Sequence, residues 1–355
     1  MLFRSSRLLW GGFLILLIFG FFLIWKQTSY ERSLAAASIT FDDFPPKYAK
    51  ALRSSQLAGK NTVYDRPPQS SPSLSSAPDG QTTIPPIIHF IWFKDLYNEH
   101  LDISEIPRVG SEAPKECRRH NLGYEVLTWN ETAARSLLEN HYSSLVPLYD
   151  AYRYPIQRVD LFKYVVLWHY GGVYMDLDIA CGHELDALLP FPAWYPKASP
   201  FGVNNDLMAS RAGHPFVGFM LDHLEGRNRN LLFPYLTIFW STGPQFTSDM
   251  LSYWYWYRKT RSYVPGTNKA NYGPDMVYVL PQEFYSEEYT FFGHSPGGTW
   301  HGQDVAVVLW FVAHPLMIAL SLSFLCFVVL FICLRLRRKP ARSKIAGRKI
   351  EMRTA

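Results

Sequence analysis

Two long, predominantly apolar stretches of this 355-residue chain, residues 8–25 and residues 305–334, carry no Asp, Glu, Lys or Arg. A membrane span needs about 20 apolar residues, so the first stretch predicts an anchor and the second a further span. His314-Pro315 interrupts the second run, which places its core at 315–334 and leaves 305–313 as an interfacial segment or the extension of a tilted helix. A cleaved signal peptide competes for the first run, because "SLAAAS" around Ala35 and Ala37 resembles a small-residue cleavage site. The run exceeds the roughly 7–15 residues of a signal core and those small residues lie far beyond its end, which favours an uncleaved anchor.

Between these runs the pattern changes twice. Residues 26–83 lack a continuous apolar period, and "RPPQSSPSLSSAPDGQTT" from Arg66 is Pro/Ser-rich, so this part reads as a stem with a short helix near 48–57. Order resumes at "IPPIIHFIWF", residues 84–93, whose β-branched and aromatic run predicts a buried strand. "YEVLTW", 124–129, predicts a second strand, with room for a helix between the two. "PIQRVDLFKYVVLWHYGG" then predicts a helix opened by Pro155 and ended by Gly171-Gly172. "VYMDLDIA" follows as a third strand, whose period of two would put Asp176 and Asp178 on one side and Leu177 on the other. "LMAS", 207–210, looks helix-like, and the aromatic run from Tyr253 to Tyr257 suits a membrane interface, a sugar or plain core packing. Alternating strands and helices imply an α/β domain over 84–304 with a mainly parallel sheet, binding ligands beyond the carboxyl ends of its strands.

Charge refines the layout. The tail 335–355 carries nine basic residues against Glu351 alone, a charge of +8 in a chain whose total is +5, so the remainder sums to −3. The basic character is therefore a property of the tail, and no nucleic-acid surface is implied. Positive charge outside both apolar runs predicts that residues 1–7 and 335–355 are cytosolic and that everything between the spans lies in a lumen. A Golgi or ER–Golgi membrane protein is the corresponding expectation. Asn130-Glu131-Thr132 is a glycosylation sequon that such a location would make usable. Of the four cysteines, Cys326 and Cys333 fall in the second run, leaving Cys117 and Cys181 either as a disulfide or as free buried thiols.

The candidate chemistry is concentrated around Asp176. Two nearby carboxylates stay ionised only with water or a cation between them, and their oxygens suit a hard divalent ion such as Mg²⁺ or Mn²⁺. Such an ion can neutralise a departing diphosphate as a Lewis acid. A D-x-D triplet alone is weak evidence, since strands often end in acids at the surface. The preceding helix adds more: from Val159 to Trp168 nearly every residue is apolar, yet Asp160 and Lys163 stand one turn apart within it. An i,i+3 ion pair yields only about 0.2–0.5 kcal/mol on an isolated helix, poor compensation for burial, so a polar substrate is the better reason for both.

These residues resemble a known family. "RVDLFKYVVLWHYGGVYMDLD" is similar to the signature of glycosyltransferase family 32, "IPPIIHFIWF" to its opening strand, and "STGP" and "GHSPGGTWH" to its later blocks. Within that family the chain resembles the fungal inositol-phosphorylceramide mannosyltransferases most. The resemblance implies a GT-A-type, Rossmann-like nucleotide-binding domain flanked by the two membrane helices. It implies transfer of mannose from GDP-mannose to inositol phosphorylceramide, with retention at the anomeric carbon, Mn²⁺ or Mg²⁺ as cofactor and a membrane accessory protein as partner. Asp178 would then be the direct metal ligand, Asp176 would contact ribose or metal, and Asp160 would bind hydroxyls of the donor sugar. Lys163 stands where many relatives have Arg, keeping the charge but losing the bidentate fork. His294, with His301 as its substitute, would complete the metal shell or bind phosphate, and the Trp300 indole would donate to a phosphate oxygen. Asn204, Asn205 and Asp206 would lie near the acceptor, although a plain turn with a helix N-cap explains them as well.

Three other functions fit parts of the pattern. The same chemistry on a glycoprotein glycan, with GDP-mannose or UDP-galactose, would need the same residues. A D-x-D phosphatase of the haloacid dehalogenase kind expects a later acidic pair, and the only adjacent Asp pair, Asp42-Asp43, is far upstream. A non-enzymatic membrane scaffold accounts for the two apolar runs but not for Asp160, Lys163, Asp176 and Asp178 together.

Overall fold

The computed structural model describes residues 2–58, 84–93, 108–259, 273–285 and 291–294, with isolated positions between 306 and 332. The chain divides into two compact units, Met1–Trp300 and His301–Ala355, and the first carries the sheets. Its strands are β1 (Ile87–Ile91), β2 (Glu125–Trp129), β3 (Gly172–Met175), β4 (Ile179–Cys181), β5 (Ala193–Pro196), β6 (Leu207–Ser210), β7 (Tyr278–Leu280) and β8 (Phe292–His294). Six form one sheet in the order β2-β1-β3-β6-β5-β7, and β4 pairs with β8 separately. β1 runs parallel to both β2 and β3, and β5 is parallel to β7. β6 is antiparallel to its neighbours β3 and β5, so the sheet is mixed rather than mainly parallel. The α/β class and the first two strands are as expected. "LMAS" is a strand, not helix-like: four residues are too few for periodicity to separate the two.

The N-terminal region differs more. α1 (Leu2–Ala36) is one unbroken helix of 35 residues. Its last turns bury Tyr30 and Leu34, and the chain beyond it extends the sheet edge. There the Ile39 N–H donates to Val279 O at 2.8 Å and the Val279 N–H donates to Ala37 O at 3.0 Å. Phe44 follows into the core, with Tyr48 and Leu52 of α2 (Pro46–Ala58). Residues 30–52 therefore belong to the folded unit instead of a stem, and each large apolar side chain buried there contributes about 1.5–3 kcal/mol. Within "SLAAAS" the small Ala37 has a packing reason, being fully buried beside β7. Among the described residues no helix is long and apolar enough to cross a membrane. The 8–25 run lies within α1, most of its side chains outside the described residues, and 59–83, nearly all of 305–334 and the tail also lie outside them.

α3 (Arg108–His120) fills the β1-to-β2 connection as expected, and a Cys117–Cys181 disulfide ties it to β4. Asn130, exposed, caps α4 (Glu131–His141) by accepting the Ala133 N–H at 2.8 Å, and α5 (Val146–Ala151) leads on. The central helix α6 (Pro155–His169) has Pro155 in its first turn, where the missing N–H costs nothing, and Gln157 accepts the Tyr154 N–H at 3.0 Å. It ends at Gly171 and Gly172, whose φ values of 68° and 101° suit glycine alone. A Cβ on Gly172 would lie 2.6 Å from Ile87 O, so this glycine also lets β3 close onto β1. α7 (Pro215–Arg227) and α8 (Pro234–Ser241) pack on α6, and α9 (Pro244–Lys259) packs on both of them.

Candidate active site

α6 is apolar around most of its surface and still holds Asp160 and Lys163, each only 3% exposed. The ion pair between them exists, with Lys163 Nζ 3.0 Å from Asp160 Oδ1, but it does not stop there. Lys163 Nζ also lies 3.0 Å from Asp176 Oδ1, joining the helix to the D-x-D triplet, and sits 5.1 Å from the centre of the Tyr174 ring. Burial opposes the ammonium charge, but Asp176, Tyr174 and Asp160 outweigh it and hold the Lys163 acid well above its ordinary value. Both Asp160 oxygens are held: Oδ1 accepts from Asn205 Nδ2 at 3.1 Å and Oδ2 from Thr242 Oγ1 at 2.9 Å. Behind them, Tyr164 donates its hydroxyl to Thr242 O at 2.6 Å, and Gln157 Nε2 donates to Ser241 Oγ at 2.7 Å. The "STGP" block thus closes the α6 side of the site.

The D-x-D residues do not lie on one strand. β3 stops at Met175, the Asp176 N–H donates to Asp206 O at 2.7 Å, and the Ile179 N–H returns to Asp176 O at 3.0 Å. Asp176 to Asp178 therefore form a turn between β3 and β4, and the expected strand period across Leu177 does not apply. Tyr174 donates to Asp176 Oδ1 at 2.5 Å. Burial raises the Asp176 acid to about 7; Lys163 opposes the rise, and Asp178 and Asp206 add to it. A third of the Asp176 side chain remains open, so solvent softens this rise compared with a sealed site. Asp206 accepts from Asn204 Nδ2 at 2.5 Å and from the Tyr285 hydroxyl. Burial and then Asp206 push the Tyr285 phenol far above its ordinary range, which keeps it a donor.

β4 pairs antiparallel with β8 in a register that sets His294 opposite Ile179. The backbone of Gly293 and His294, which open the "GHSPGGTWH" block, is thereby paired beside Asp178, while the His294 side chain, Trp300 and His301 lie outside the described residues. Asn204, Asn205 and Asp206, expected near an acceptor, lie at the carboxylate cluster, with Asn205 donating to Asp160 and Lys163 Nζ 3.5 Å from Asn205 O. They form no helix cap, because a strand follows them.

Four carboxyl groups, Asp160, Asp176, Asp178 and Asp206, surround the single ammonium of Lys163, and repulsion from Asp178 and Asp206 adds to the burial that raises the Asp176 acid. Among the described residues no three His, Cys, Asp or Glu side chains form a group that could hold a metal ion. A hard ion such as Mg²⁺ typically takes one or two carboxylates and leaves its other positions to water and substrate phosphate, so the oxygen donors here fit one. Three participants carried little sequence signal. Thr242 lay in a recognised block without a role; Tyr174 was marked only by standing two residues before Asp176; Tyr285 arrives from a remote segment with no signal at all.

The family described as "Glycosyltransferase sugar-binding region containing DXD motif" matches residues 107–194, a span that includes Asp160, Lys163, Asp176 and Asp178. Inositol phosphoceramide mannosyltransferase 2 of Schizosaccharomyces pombe is 30% identical over 83% of this chain and 81% of that protein. Inositol phosphoceramide mannosyltransferase 3 of the same yeast is 34% identical over 75% of this chain and 70% of its own. The mannosyl phosphorylinositol ceramide synthase SUR1 of Saccharomyces cerevisiae is 34% identical over 65% of this chain and 56% of its own. With its D-x-D turn inside the matched region and its similarity spread over most of these relatives, the chain belongs to the inositol phosphoceramide mannosyltransferase family of D-x-D glycosyltransferases.

Proposed function

We propose that this enzyme transfers mannose from GDP-mannose to the inositol of inositol phosphorylceramide, with retention of configuration, yielding mannosyl-inositol-phosphorylceramide. The observation that carries this reading is the buried Asp160–Lys163–Asp176 chain, which ends at the D-x-D turn in a member of this family. Asp160, fixed by Asn205 and Thr242, would orient the sugar hydroxyls. Lys163, 3.0 Å from each, would hold Asp160 and Asp176 at a fixed separation as their shared cation. Asp178, with Asp176 and His294, would hold Mn²⁺ or Mg²⁺, which supplies Lewis-acid stabilisation of the leaving diphosphate. Trp300 would donate to that diphosphate. Residues 8–25 and 305–334 are proposed as membrane spans of a Golgi protein with a lumenal catalytic domain, a glycan on Asn130 and an accessory subunit. The Cys117–Cys181 disulfide supports an oxidising compartment.

The test incubates detergent-solubilised full-length protein with labelled GDP-mannose, UDP-galactose and UDP-glucose, each against inositol phosphorylceramide and a glycoprotein glycan, with and without Mn²⁺. Transfer from GDP-mannose to the lipid alone, abolished by chelation, is expected. Transfer to the glycan alone would refute the acceptor, and full activity under chelation would refute the metal.

A further inference from the structure

Between α7 and α8 the chain presents an ordered apolar tip. Leu232 is 88% exposed, Leu231 40%, and Trp240, on α8, 47%. The tip is pinned by buried Thr237, whose Oγ1 accepts the Leu231 N–H at 2.9 Å and lies 3.1 Å from Phe233 O. Tyr235 and Phe239 stack on each other along the same short helix, ring centres 5.5 Å apart. Arg229, immediately before the tip, is exposed, and Arg227 pairs with Asp249 at 2.8 Å. An apolar group held outward by its own hydrogen bonds forgoes burial, which marks a surface made for contact.

The other end of α8 belongs to the site, since Ser241 meets Gln157 and Thr242 meets Asp160. α8 has 8 residues and rises about 12 Å, so its first turn, which Leu231 and Leu232 precede, stands about that far from the site end, beside which Trp240 lies. We propose that this tip, residues 229–240, inserts into the lipid bilayer surface and brings the site to the headgroup layer, where the acceptor's polar end lies. Leu-Leu with Trp and Tyr is the residue set of membrane interfaces, and Arg229 suits anionic headgroups. Interfacial segments sink about 5–10 Å, so a site within about 12 Å of such a tip stays within reach of headgroups whichever way α8 tilts. The inference deepens the lipid-acceptor reading and rests on it for the acceptor's identity.

The experiment reconstitutes the full-length chain in phosphatidylcholine vesicles containing phosphatidylinositol and a trace of phosphatidylcholine with a diazirine in its acyl chain. After irradiation, adducts are mapped by mass spectrometry. Adducts within 229–240 are expected, and Leu232→Glu, a change at an exposed position, should reduce them at least about five-fold. The same variant should lose about ten-fold more transfer to vesicle-embedded than to detergent-dispersed acceptor. Labelling elsewhere but not at 229–240, or labelling there that Leu232→Glu leaves unchanged, would overturn the proposal. Labelling needs no turnover, so labelled protein without lipid transfer would support the surface and sink only the acceptor reading.

Discussion

Replacing Lys163 with Met keeps the length and apolar stem of the side chain and removes its charge. In the wild type its ammonium lies 3.0 Å from Asp160 Oδ1 and 3.0 Å from Asp176 Oδ1, so the variant leaves two carboxylates facing each other without their shared cation. Asp160 is almost fully buried, and removing one member of a buried pair costs about 3–5 kcal/mol. Asp176, a third open, should contribute less because water reaches it. For a domain of this size each kcal/mol corresponds to about 2–4 °C, so Lys163→Met should lower the unfolding temperature by roughly 10 °C. Lys163→Arg, which keeps the charge, should lose much less. Asp160→Asn combined with Lys163→Met should recover part of the loss, because one of the stranded charges is gone. Thermal unfolding of the full chain in detergent, followed by tryptophan emission, reads all three. If Lys163→Met unfolds within about 1 kcal/mol of wild type, the ammonium is not holding the carboxylates together and its role as the link between α6 and the D-x-D turn is refuted.

Other consequences are equally direct. Asp178→Ala should abolish transfer while leaving the unfolding temperature near that of wild type, and wild-type transfer would sink the metal assignment. The Cys117–Cys181 disulfide closes a loop of 64 residues, so the double Ser variant should lose about 4 kcal/mol, read as a lower denaturant midpoint; an unchanged midpoint would contradict a formed bond. Burial lowers the His89 acid from 6.5 to about 4, so the unfolded chain binds more protons in that interval and stability falls as pH drops from 6.5 towards 4. The loss from this group is about 3 kcal/mol, and the pH dependence of unfolding should be shallower by that amount in His89→Gln; identical slopes would refute it.

How far sequence reached depends on the kind of information each element carries. α6 was legible because a Pro, a long apolar run and a Gly pair bracket it, and Asp160 and Lys163 were conspicuous in that apolar setting. The D-x-D turn was misread as strand because alternation in "VYMDLDIA" is a local pattern, whereas the break after Met175 is imposed by Asp206, just before β6, and by the β4–β8 pairing. The link from the 204–206 block to the carboxylates was not legible, because nothing local shows that Asn205 reaches back to Asp160. Likewise the docking of α1 depends on β7 and α9, and that of Phe44 on Phe284 and Phe291, all more than two hundred residues downstream, which no window on the N-terminal sequence can reveal.

That docking has a geometric consequence. α1 passes from Trp25 to buried Tyr30 without a break, a rise of about 8 Å. With 8–25 crossing the bilayer as proposed, the domain is mounted on a rigid post instead of swinging on a leash. Each residue of that helix sets an angle as well as a height: deleting one between Trp25 and Tyr30 would turn the whole domain by about 100° relative to the membrane segment. The spacing between the post and its socket would then act as a phase, selecting which face of the enzyme looks down at the lipid.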